Sequence, residues 1–396
     1  MSQLHLAVGL EGAGWHPAAW RDPAAAPHDL LSAAYWTELV AVAERGLLDL
    51  VTIEDGLALQ SERDDAPDGR TDRVRGRLDA VLTAARVAPT TRHIGLVPSA
   101  TVTHTEPFHL SKAVATLDYV STGRAGLRVQ ASLRPFEARH FGRREVSFVP
   151  RQGVDIAGDP LVVDLLGEVV DYVEVLRRLW DSWEDDAEIR DVATGRFVDI
   201  EKLHYIDFEG KHFSVRGPSI TPRPPQGQPL VVALAHGPAA YAVAGRAADV
   251  AIVTPHSLEE ARAAVEGVAA ERSAAARTDG PGHVLGDLAV VLGATTAEAQ
   301  DRLARLDELA GEPWSTDVDV IAGTPTELAD RLQDWASAGL DGYRLRPAVL
   351  ATDLAHITTG LVPELQRRGA FRTAYTASTL RGHFGLPRPA NRYAAV

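Results

Sequence analysis

Polar side chains follow several short apolar runs of the chain, at the points where the runs end. Such runs, alternating with helical patterns, are typical of parallel strands, and the carboxyl ends of parallel strands gather polar groups into one site. Imidazole, carboxylate, hydroxyl and guanidinium groups at such ends can transfer protons or bind phosphate. The candidates are His16, Asp55, Ser99, Thr101, Thr103, His104, Arg128, Gln130, Ser132, His236, Gly237, Thr254, His256, Arg344 and Arg346.

We identify His16 and His104 as candidate catalytic residues. His16 lies in the loop after the first apolar run, where its ring can reach a substrate. Asp55 keeps two interpretations, because a carboxylate at a strand end either belongs to a site or caps the loop that follows.

No pattern in the sequence indicates a metal or dinucleotide site. His104 and His109 are five residues apart, whereas two residues on one helical face are four apart. Gly12-Ala13-Gly14 follows a strand-like run, but no third glycine or helix start completes a dinucleotide fingerprint. We expect a turn there, and no bound metal.

The junction Ala235-His236-Gly237-Pro238 connects an apolar run to a helical pattern. Proline suits the first turn of a helix. A helix that begins here offers free backbone N–H groups and the positive end of its dipole, which suits a phosphate. Every strand-to-helix junction of this type shares part of that pattern, so spacing alone leaves the phosphate site open.

The composition is that of a globular enzyme and excludes several other classes. The 396 residues are 45% hydrophobic and carry a net charge of −14, which disfavours nucleic acid and anionic membranes as partners. No cysteine is present, so disulfides and thiolate chemistry are excluded. No run approaches the roughly 18 apolar residues of a membrane span. Met1–His5 has neither the basic nor the apolar part of a signal peptide, so we expect a cytoplasmic protein.

Eight strand-like runs, each followed by a helical pattern, indicate an α/β fold. This count is that of a (β/α)8 TIM barrel, although an open doubly wound sheet uses the same units. We predict a closed barrel forming one domain over residues 1–396. The predicted strands are Leu4–Leu10, Leu48–Ile53, His93–Val97, Ala125–Ala131, Leu230–Ala235, Asp249–Thr254, Leu288–Gly293 and Gly342–Leu345. The predicted helices are Leu31–Arg45, Arg77–Ala88, Pro107–Val120, Leu161–Trp183, Pro238–Ala247, Leu258–Ala275, Thr296–Leu309, Pro325–Ala338 and Ala351–Arg368.

Residues 184–229 interrupt this alternation after the fourth helix. His204–Phe208 and Lys211–Val215 alternate apolar and polar residues around Glu209-Gly210, which predicts a β-hairpin. The proline-rich stretch Thr221–Gly227 predicts an extended connection to the next strand. We therefore predict a hairpin-bearing insertion within the domain, outside the barrel wall.

Several long motifs occur in a fixed order along nearly the whole chain. They are Gly14–His16, Ala19–Pro23, Ala43–Gly46, Glu106–Leu110, Thr116–Gly126, Leu179–Trp183, Phe213–Pro218, Pro225–Pro229 and Thr379–Leu386. In these motifs the sequence resembles the luciferase-like flavin-dependent monooxygenases. It is most similar to the branch that contains nitrilotriacetate monooxygenase component A and dibenzothiophene-sulfone monooxygenase.

The resemblance implies a (β/α)8 barrel with an insertion after the fourth helix, and it implies a function. Enzymes of this family take reduced FMN from a separate flavin reductase and use O2 to oxygenate a small organic substrate. The resemblance also implies a homodimer or a dimer of dimers, and an insertion that serves as a lid. Leu78, Val81, Leu82 and Ala85 form an apolar stripe that fits either a subunit contact or packing on the barrel.

The positions that bind flavin in the family differ in this chain. Where the family has Trp-Asn-Val-Val-Thr-Ser, this chain has Leu127–Ser132, and only Ser132 is kept among the polar groups. Where the family has Ala-Gly-Ser-Ser, this chain has Leu234–Gly237, without either serine, and Ala240 replaces a glycine. An Arg-Tyr pair of the family aligns with Leu165-Leu166.

Two hypotheses account for these differences. In the first, FMN binds by altered chemistry, with its phosphate at His236-Gly237-Pro238 or Arg128. Its ring then lies near a set of hydroxyls and one carboxylate: Asp55, Thr101, Thr103 and Ser132. In the second, the site is degenerate, Arg128 and His236 fill the pocket, and the chain uses another flavin, binds a ligand without turnover or serves as a partner subunit. No residue identifies the substrate.

Overall fold

A closed barrel of eight parallel strands forms the centre of the computed structural model, which describes residues 3–61, 63, 65–147, 158–280 and 282–394. The barrel strands are β1 (His5–Leu10), β2 (Leu50–Ile53), β3 (Gly95–Thr101), β4 (Gly126–Gln130), β9 (Leu230–Ala235), β10 (Val250–Val253), β11 (His283–Leu292) and β13 (Gly342–Pro347). Each pairs with the next, and β13 pairs with β1, which closes the ring. The predicted (β/α)8 fold is confirmed, and an open sheet is excluded.

A ninth strand of this sheet, β12 (Asp319–Gly323), pairs with the carboxyl-terminal half of β11 and was not predicted. β11 pairs with β10 through His283–Gly286 and with β12 through Leu288–Leu292. The strand was missed because it is short and only its last residue is fully buried, so its sequence lacks a strong apolar run. It lies beside the end of the barrel at which the strands finish, which we call the mouth.

The helices surround the barrel, and most begin at a side chain that caps the first turn. They are α1 (Ala33–Arg45), α2 (Ala80–Val87), α3 (Pro107–Val120), α4 (Pro135–Phe141), α5 (Pro160–Asp181), α6 (Pro238–Ala247), α7 (Leu258–Ala274), α8 (Thr296–Ala310), α9 (Pro325–Ala336), α10 (Leu350–His356), α11 (Val362–Arg367) and α12 (Leu380–His383). No helix in the described part of the chain is both long enough and apolar enough to cross a membrane.

Several predicted boundaries differ from the observed ones for local reasons. α2 begins three residues later than predicted, because the Asp79 carboxylate accepts from Leu82 N–H and caps the helix there. β3 continues through Pro98 and Ser99 to Thr101, since its register with β4 persists to Thr101 opposite Gln130. α4 was not predicted, and residues 148–157, between α4 and α5, are outside the described residues.

Residues 184–229 contribute no strand to the barrel. They form two small antiparallel sheets, β5 (Glu188–Asp191) with β6 (Arg196–Val198) and β7 (Phe208–Glu209) with β8 (Ser214–Val215). The second hairpin occupies the predicted span with shorter strands, and the first was not predicted. The segment connects the end of α5 to the start of β9, at the barrel end opposite the mouth. None of its residues lines a cavity described below, so the expected lid is not formed by them.

Arg124 connects two loops at the end of the barrel where the strands begin, opposite the mouth. Its guanidinium is buried and donates five hydrogen bonds, four of them to backbone carbonyls between Ala88 and Ser121 and one to Thr91 Oγ1. These bonds join the loop before β3 to the turn after α3. Only the planar fork of arginine can reach all these acceptors at once.

We predict that Arg124→Lys lowers the free energy of unfolding by about 2–4 kcal/mol, because an ammonium leaves several buried carbonyls unpaired. Arg86→Lys, at an exposed position of α2, is the matched control and is expected to change stability by less than about 0.5 kcal/mol. Thermal and urea unfolding of both variants measure the difference. Equal stability of the two variants would contradict this role of Arg124.

Candidate active site

The structure brings seven of the predicted site residues to one mouth of the barrel. Two adjoining cavities lie there, over the carboxyl ends of β2, β3, β4 and β9. The α6 cavity, of about 540 Å³, is lined by Arg128, His236 and Gly237 together with apolar residues of α5 and α6. The Asp55 cavity, of about 450 Å³, is lined by Asp55, Thr101 and Ser132. Gln130, Ala131 and Leu133 line both cavities, so the two are contiguous.

The start of α6 faces the α6 cavity without a side-chain cap. Gly237 is the N-cap residue, Pro238 is the first helical residue, and no side chain accepts from the first turn. A Cβ placed on Gly237 would meet no atom within 4 Å, so open space lies in front of the helix. His236 is half exposed beside this space, and its Nδ1 lies 3.2 Å from Thr254 Oγ1. Free N–H groups and a helix dipole suit an anion. The imidazole of His236 stands beside them, but its Nδ1 also lies 3.5 Å from Asp317 Oδ2, and burial lowers its pKa.

The opposite wall of the α6 cavity is apolar. Val162, Leu166 and Val169 come from the first turns of α5, and Val243 comes from α6. Leu166 is one of the two leucines that replace the Arg-Tyr pair of the family. This wall therefore offers packing surface and no charge to a ligand.

Hydrogen bonds between side chains fix the floor of the Asp55 cavity. Gln130 Nε2 donates to Thr101 Oγ1 at 2.8 Å and to the Asp55 carbonyl at 3.0 Å. Thr103 Oγ1 accepts from Ser132 N–H at 3.0 Å. The Asp55 carboxylate accepts from Gly56 N–H and Ala80 N–H, so it caps its own loop as well as lining the cavity.

Five charged side chains pair with each other beneath this floor, inside the barrel, and a sixth, the half-exposed Asp317, joins them from the stretch before β12. Glu54 binds Arg128 and Arg344, and Asp287 binds Arg344 and Arg346. Arg346 continues to Asp317, whose carboxylate it reaches at 2.6 Å. Both guanidiniums of β13 also lie over the ring of Trp15. We call this group the barrel ion cluster.

The barrel ion cluster keeps its carboxylates ionised. Burial alone would raise the pKa of Glu54, but three neighbouring arginines outweigh burial and hold the pKa below its usual value. The same balance lowers the pKa of Asp287, through Arg344 and Arg346. Each buried cation therefore has a charged partner, which is the condition for burying charge in a barrel core.

The cluster disfavours the predicted role of Arg128 as a phosphate ligand, although Arg128 lines the α6 cavity. Its guanidinium is buried and pairs with Glu54, while its Nε donates to Ser99 Oγ at 2.9 Å and one Nη to Gln130. Arg128 also does not fill the cavity, as the degenerate-site hypothesis requires, because this pairing draws its side chain into the barrel. It supports the cavity floor instead.

His16, a predicted catalytic residue, is engaged by groups of its own chain. Its ring is fully buried, its Nδ1 accepts from Ala18 N–H, and its Nε2 lies 3.1 Å from Asp307 Oδ1. Both ring nitrogens are therefore occupied, and burial lowers the pKa of His16. His16 borders a pocket near Arg73 that shares Gln60 and Ser61 with the Asp55 cavity, and it holds its own loop on α8.

His104 is buried behind the mouth and lines neither cavity. Its ring stacks on Phe141 at 5.5 Å, and neither nitrogen has a partner among the residues that the structure describes. Burial and the nearby Arg144 and Arg143 lower the pKa of His104 to about 4. Burial therefore favours the neutral ring, which packs against Phe141, and the catalytic role of His104 stays a prediction that neither cavity supports.

Some residues of the mouth were missed by sequence reasoning. Glu54, Asp287, Asp317, Arg77 and Gln60 line or support the cavities. Charged residues inside otherwise apolar strands were the available signal for Asp287, since a buried charge requires a partner. Arg77 and Gln60 come from a polar loop without any local pattern. Among the described residues no three His, Asp or Glu side chains are arranged to hold a metal ion.

A closed barrel with contiguous cavities across its strand ends is the architecture of a TIM-barrel enzyme. The sequence matches the luciferase-like monooxygenase family over residues 14–342. The chain therefore belongs to the luciferase-like monooxygenase family, and it is an oxidoreductase of the monooxygenase type. The resemblance inferred from the motifs is confirmed.

Similar proteins span essentially the whole chain. Nitrilotriacetate monooxygenase component A of Aminobacter aminovorans is 30% identical, over 99% of this chain and 98% of that protein. Dibenzothiophene-sulfone monooxygenase of Rhodococcus erythropolis (strain XP) is 30% identical, over 98% and 97%. The structure of EDTA monooxygenase from Chelativorans sp. BNC1 shares the fold, with a TM-score of 0.81 and 24% identity over 98% of this chain and 99% of that chain.

We predict that Asp287→Asn lowers the free energy of unfolding by about 3–5 kcal/mol at pH 7, because it leaves Arg344 and Arg346 with one fewer buried anion. Because the pKa of Asp287 is lowered in the folded protein, the stabilisation exists above the unfolded pKa of about 4. Below that pH the unfolded chain takes up a proton and the folded chain does not, so the deficit shrinks. Unfolding at pH 7 and at lower pH measures both effects.

The matched control for this variant is Asp330→Asn, which removes a surface pair with Arg368. The Asp330 side chain is 66% exposed, so its loss is expected to change stability by less than about 1 kcal/mol. An Asp287→Asn deficit that stays constant as the pH falls would contradict the assigned role of the ionised carboxylate.

Proposed function

We propose that this chain is a flavin-dependent monooxygenase that takes reduced FMN from a separate flavin reductase and uses O2 to oxygenate a small organic substrate. The contiguous α6 and Asp55 cavities at the barrel mouth carry the proposal, together with family membership. We propose further that residues 1–396 act as one domain, since the barrel strands extend from His5 to Pro347.

The α6 cavity fits the phosphate and chain of FMN. The uncapped start of α6 supplies backbone donors from Gly237 and Ala239, and His236 stands beside them. A volume of about 540 Å³ lies in the usual range for a small-ligand site. Main-chain N–H groups and an imidazole thus stand where the family has serines. This is how the first hypothesis expects FMN to bind.

The Asp55 cavity then holds the ring and the substrate. Gln130, Thr101 and Ser132 surround it, with their positions fixed by the hydrogen bonds of the cavity floor. Reduced flavin supplies the two electrons that activate O2 for transfer of one oxygen atom to the substrate. The protein's own contribution is to hold the ring over the buried floor and to limit access of water.

The degenerate-site hypothesis is the less favoured alternative. It requires that Arg128 and His236 occupy the ligand space, whereas Arg128 is drawn into the barrel and His236 lies beside an open cavity. If the protein does not bind FMN, that result supports a role as a partner subunit without flavin. Relatives named for nitrilotriacetate, dibenzothiophene sulfone and dimethyl sulfide show how widely substrates vary among similar proteins.

We predict that Gly237→Asp weakens FMN binding at least about tenfold more than Gly237→Asn, because only aspartate places a negative charge against the phosphate. Gly237 has an extended backbone and space for a side chain, and both new residues are good helix caps, so folding is preserved. Anaerobic titration with FMN and with riboflavin measures the effect. Riboflavin lacks the phosphate and is expected to bind both variants similarly.

Two outcomes of this titration would count against the proposal. Absence of binding of both oxidised and reduced FMN to the unaltered protein contradicts a flavin enzyme. If Gly237→Asp and Gly237→Asn change FMN affinity equally, the proposed position of the phosphate at the start of α6 is contradicted. With binding established, reductase-coupled O2 uptake in the presence of candidate substrates tests turnover.

We propose also that the chain forms a homodimer, or a dimer of dimers, through the α1 and α2 side of the barrel. The face of α2 that packs on the barrel is Ala80, Thr83, Ala84 and Val87. Of the predicted apolar stripe, Ala85 packs against the core, whereas Leu82 is 70% exposed and Leu78 is 36% exposed. Leu31, Leu78 and Trp36 lie with Leu82 around one shallow pocket. An exposed apolar patch of this kind is typical of a subunit contact.

We predict that Leu82→Glu converts the dimer to a monomer, because it places a charge in the centre of the apolar contact. Val163→Glu on α5 is the matched control, since Val163 is also exposed but lies outside the patch. Sedimentation velocity at micromolar concentration measures the state of both variants. A monomeric unaltered protein would contradict the proposed dimer.

A further inference from the structure

Arg134, at the Asp55 cavity, has a guanidinium that donates no hydrogen bond to the residues that the structure describes. It directly precedes α4 and lines the cavity, with 39% of its side chain exposed. Its Nη1 lies 3.9 Å from Glu137 Oε1, which is beyond hydrogen-bond distance. The backbone N–H of Arg134 donates to Ser132 Oγ, which holds the chain at this position. The guanidinium is therefore accessible, and its donors are available to an anion in the cavity.

The other arginines of the two cavities and of the barrel ion cluster are engaged by carboxylates. The barrel ion cluster holds three of them: Arg128, Arg344 and Arg346. Arg77 also lines the Asp55 cavity, but its Nη2 donates to Glu11 Oε1 at 3.0 Å. Among the described arginines that line this cavity, Arg134 is thus the one without a hydrogen-bonded carboxylate.

Two carboxylates line the same cavity, and neighbouring groups limit the access of a ligand to each. The Asp55 carboxylate accepts from Gly56 N–H and Ala80 N–H, and burial raises the pKa of Asp55. Glu137 has only 7% of its side chain exposed, against 39% for Arg134. A charged ligand that enters the cavity therefore has better access to the cation than to Glu137.

This cation lies in a segment that is basic within an acidic protein. Residues 133–147 carry four arginines and two glutamates, whereas the whole chain has a net charge of −14. Arg143 and Arg144 pair with glutamates of other segments, and Arg139 is exposed without an ion pair to a described residue. A local excess of positive charge beside a cavity raises the concentration of anions there. The segment therefore favours anions at this side of the mouth.

We propose that Arg134 binds an anionic oxygen group of the substrate, such as a carboxylate, so that the protein selects small organic anions over neutral molecules of the same shape. This inference rests on the proposed function, in which the substrate shares the Asp55 cavity with the flavin ring. Arginine suits this role because its planar fork donates two parallel hydrogen bonds to one carboxylate. Glu137 competes with the substrate for the same guanidinium.

The experiment uses two pairs of probes that share a skeleton and differ in charge: hexanoate with hexanamide, and benzoate with benzamide. Calorimetry measures the binding of each probe to the FMN-saturated protein. We expect an anion to bind at least about tenfold more tightly than its amide, and Arg134→Gln to remove this preference through loss of anion affinity alone. Arg134→Lys retains part of the preference, because it keeps the charge without the planar fork. Glu137→Gln tightens anion binding, because it removes the competing carboxylate.

Arg139→Gln is the matched control, since it removes an exposed cation of the same helix that lines neither cavity. It is expected to change the anion preference by less than about twofold, because solvent screens an exposed charge. The double variant Arg134→Gln with Glu137→Gln carries the same expectation as Arg134→Gln and leaves no unpaired carboxylate if the single variant folds poorly. The inference is overturned if neither pair of probes shows a preference for the anion. It is also overturned if Arg139→Gln removes the preference as fully as Arg134→Gln.

Titration with FMN and with riboflavin separates this inference from the proposed function. If Arg134→Gln weakens the binding of FMN and not that of riboflavin, Arg134 binds the flavin phosphate and the inference is overturned. Absence of flavin binding to the unaltered protein overturns the proposed function itself. The probe pairs are then compared in the flavin-free protein, where the presence or absence of an anion preference that depends on Arg134 decides the role of this residue.

Discussion

The barrel ion cluster is the interaction on which the mouth of this barrel depends. A closed parallel barrel must fill its interior with side chains, and aliphatic layers are the usual solution. Here Arg344 and Asp287 lie opposite each other in adjacent strands, and Glu54 and Arg128 extend the cluster across the barrel. Charges of both signs are buried together, so each is stabilised only while its partners remain in place. The positions of β2, β4, β11 and β13 are therefore coupled to one another.

This coupling explains why the site differs from what the local sequence indicates. Arg128 lies in the middle of β4, at a position where the resemblance places a polar group of the flavin site, but its pairing with Glu54 draws it into the barrel. Gln130, two residues later, takes the position at the mouth and joins Thr101 to the Asp55 loop. The ligand space is thus kept open above a charged floor. A cavity with an uncapped helix start at one end and a paired arginine at the other suits a long anionic ligand.

The two histidines show how burial decides the role of a titratable residue. His16 and His104 both follow strands near the mouth, yet neither presents a free nitrogen to a cavity. His16 is bound on both sides, and His104 is neutral because burial and nearby arginines oppose its protonation. His236, by contrast, lies half exposed at the start of α6. Site residues in this chain are distinguished by access to the cavities and not by residue type.

The sequence by itself determined the fold class, the family and most of the elements. The alternation of apolar runs and helical patterns is a local property, and it predicted all eight barrel strands, although β11 begins at His283 and not at Leu288, and β3 ends at Thr101 and not at Val97. The junction at His236-Gly237-Pro238 was also readable, because a strand followed by proline and a helix has one local geometry. The additional strand β12 and the hairpin of β5 and β6 were missed, since short and largely exposed strands carry little periodicity.

Only the tertiary structure decided which polar groups are free and which are paired. The partners of Arg128 and Arg344 lie 74 and 290 residues away in the chain, and those of His16 lie up to 291 residues away. No local pattern encodes such contacts, because they exist only after the strands close into a ring. The same reason applies to Arg77, whose partner Glu11 lies 66 residues away in another loop. The sequence determines which residue types are present. Closure of the barrel determines which of their polar groups are paired and which are free to bind a ligand.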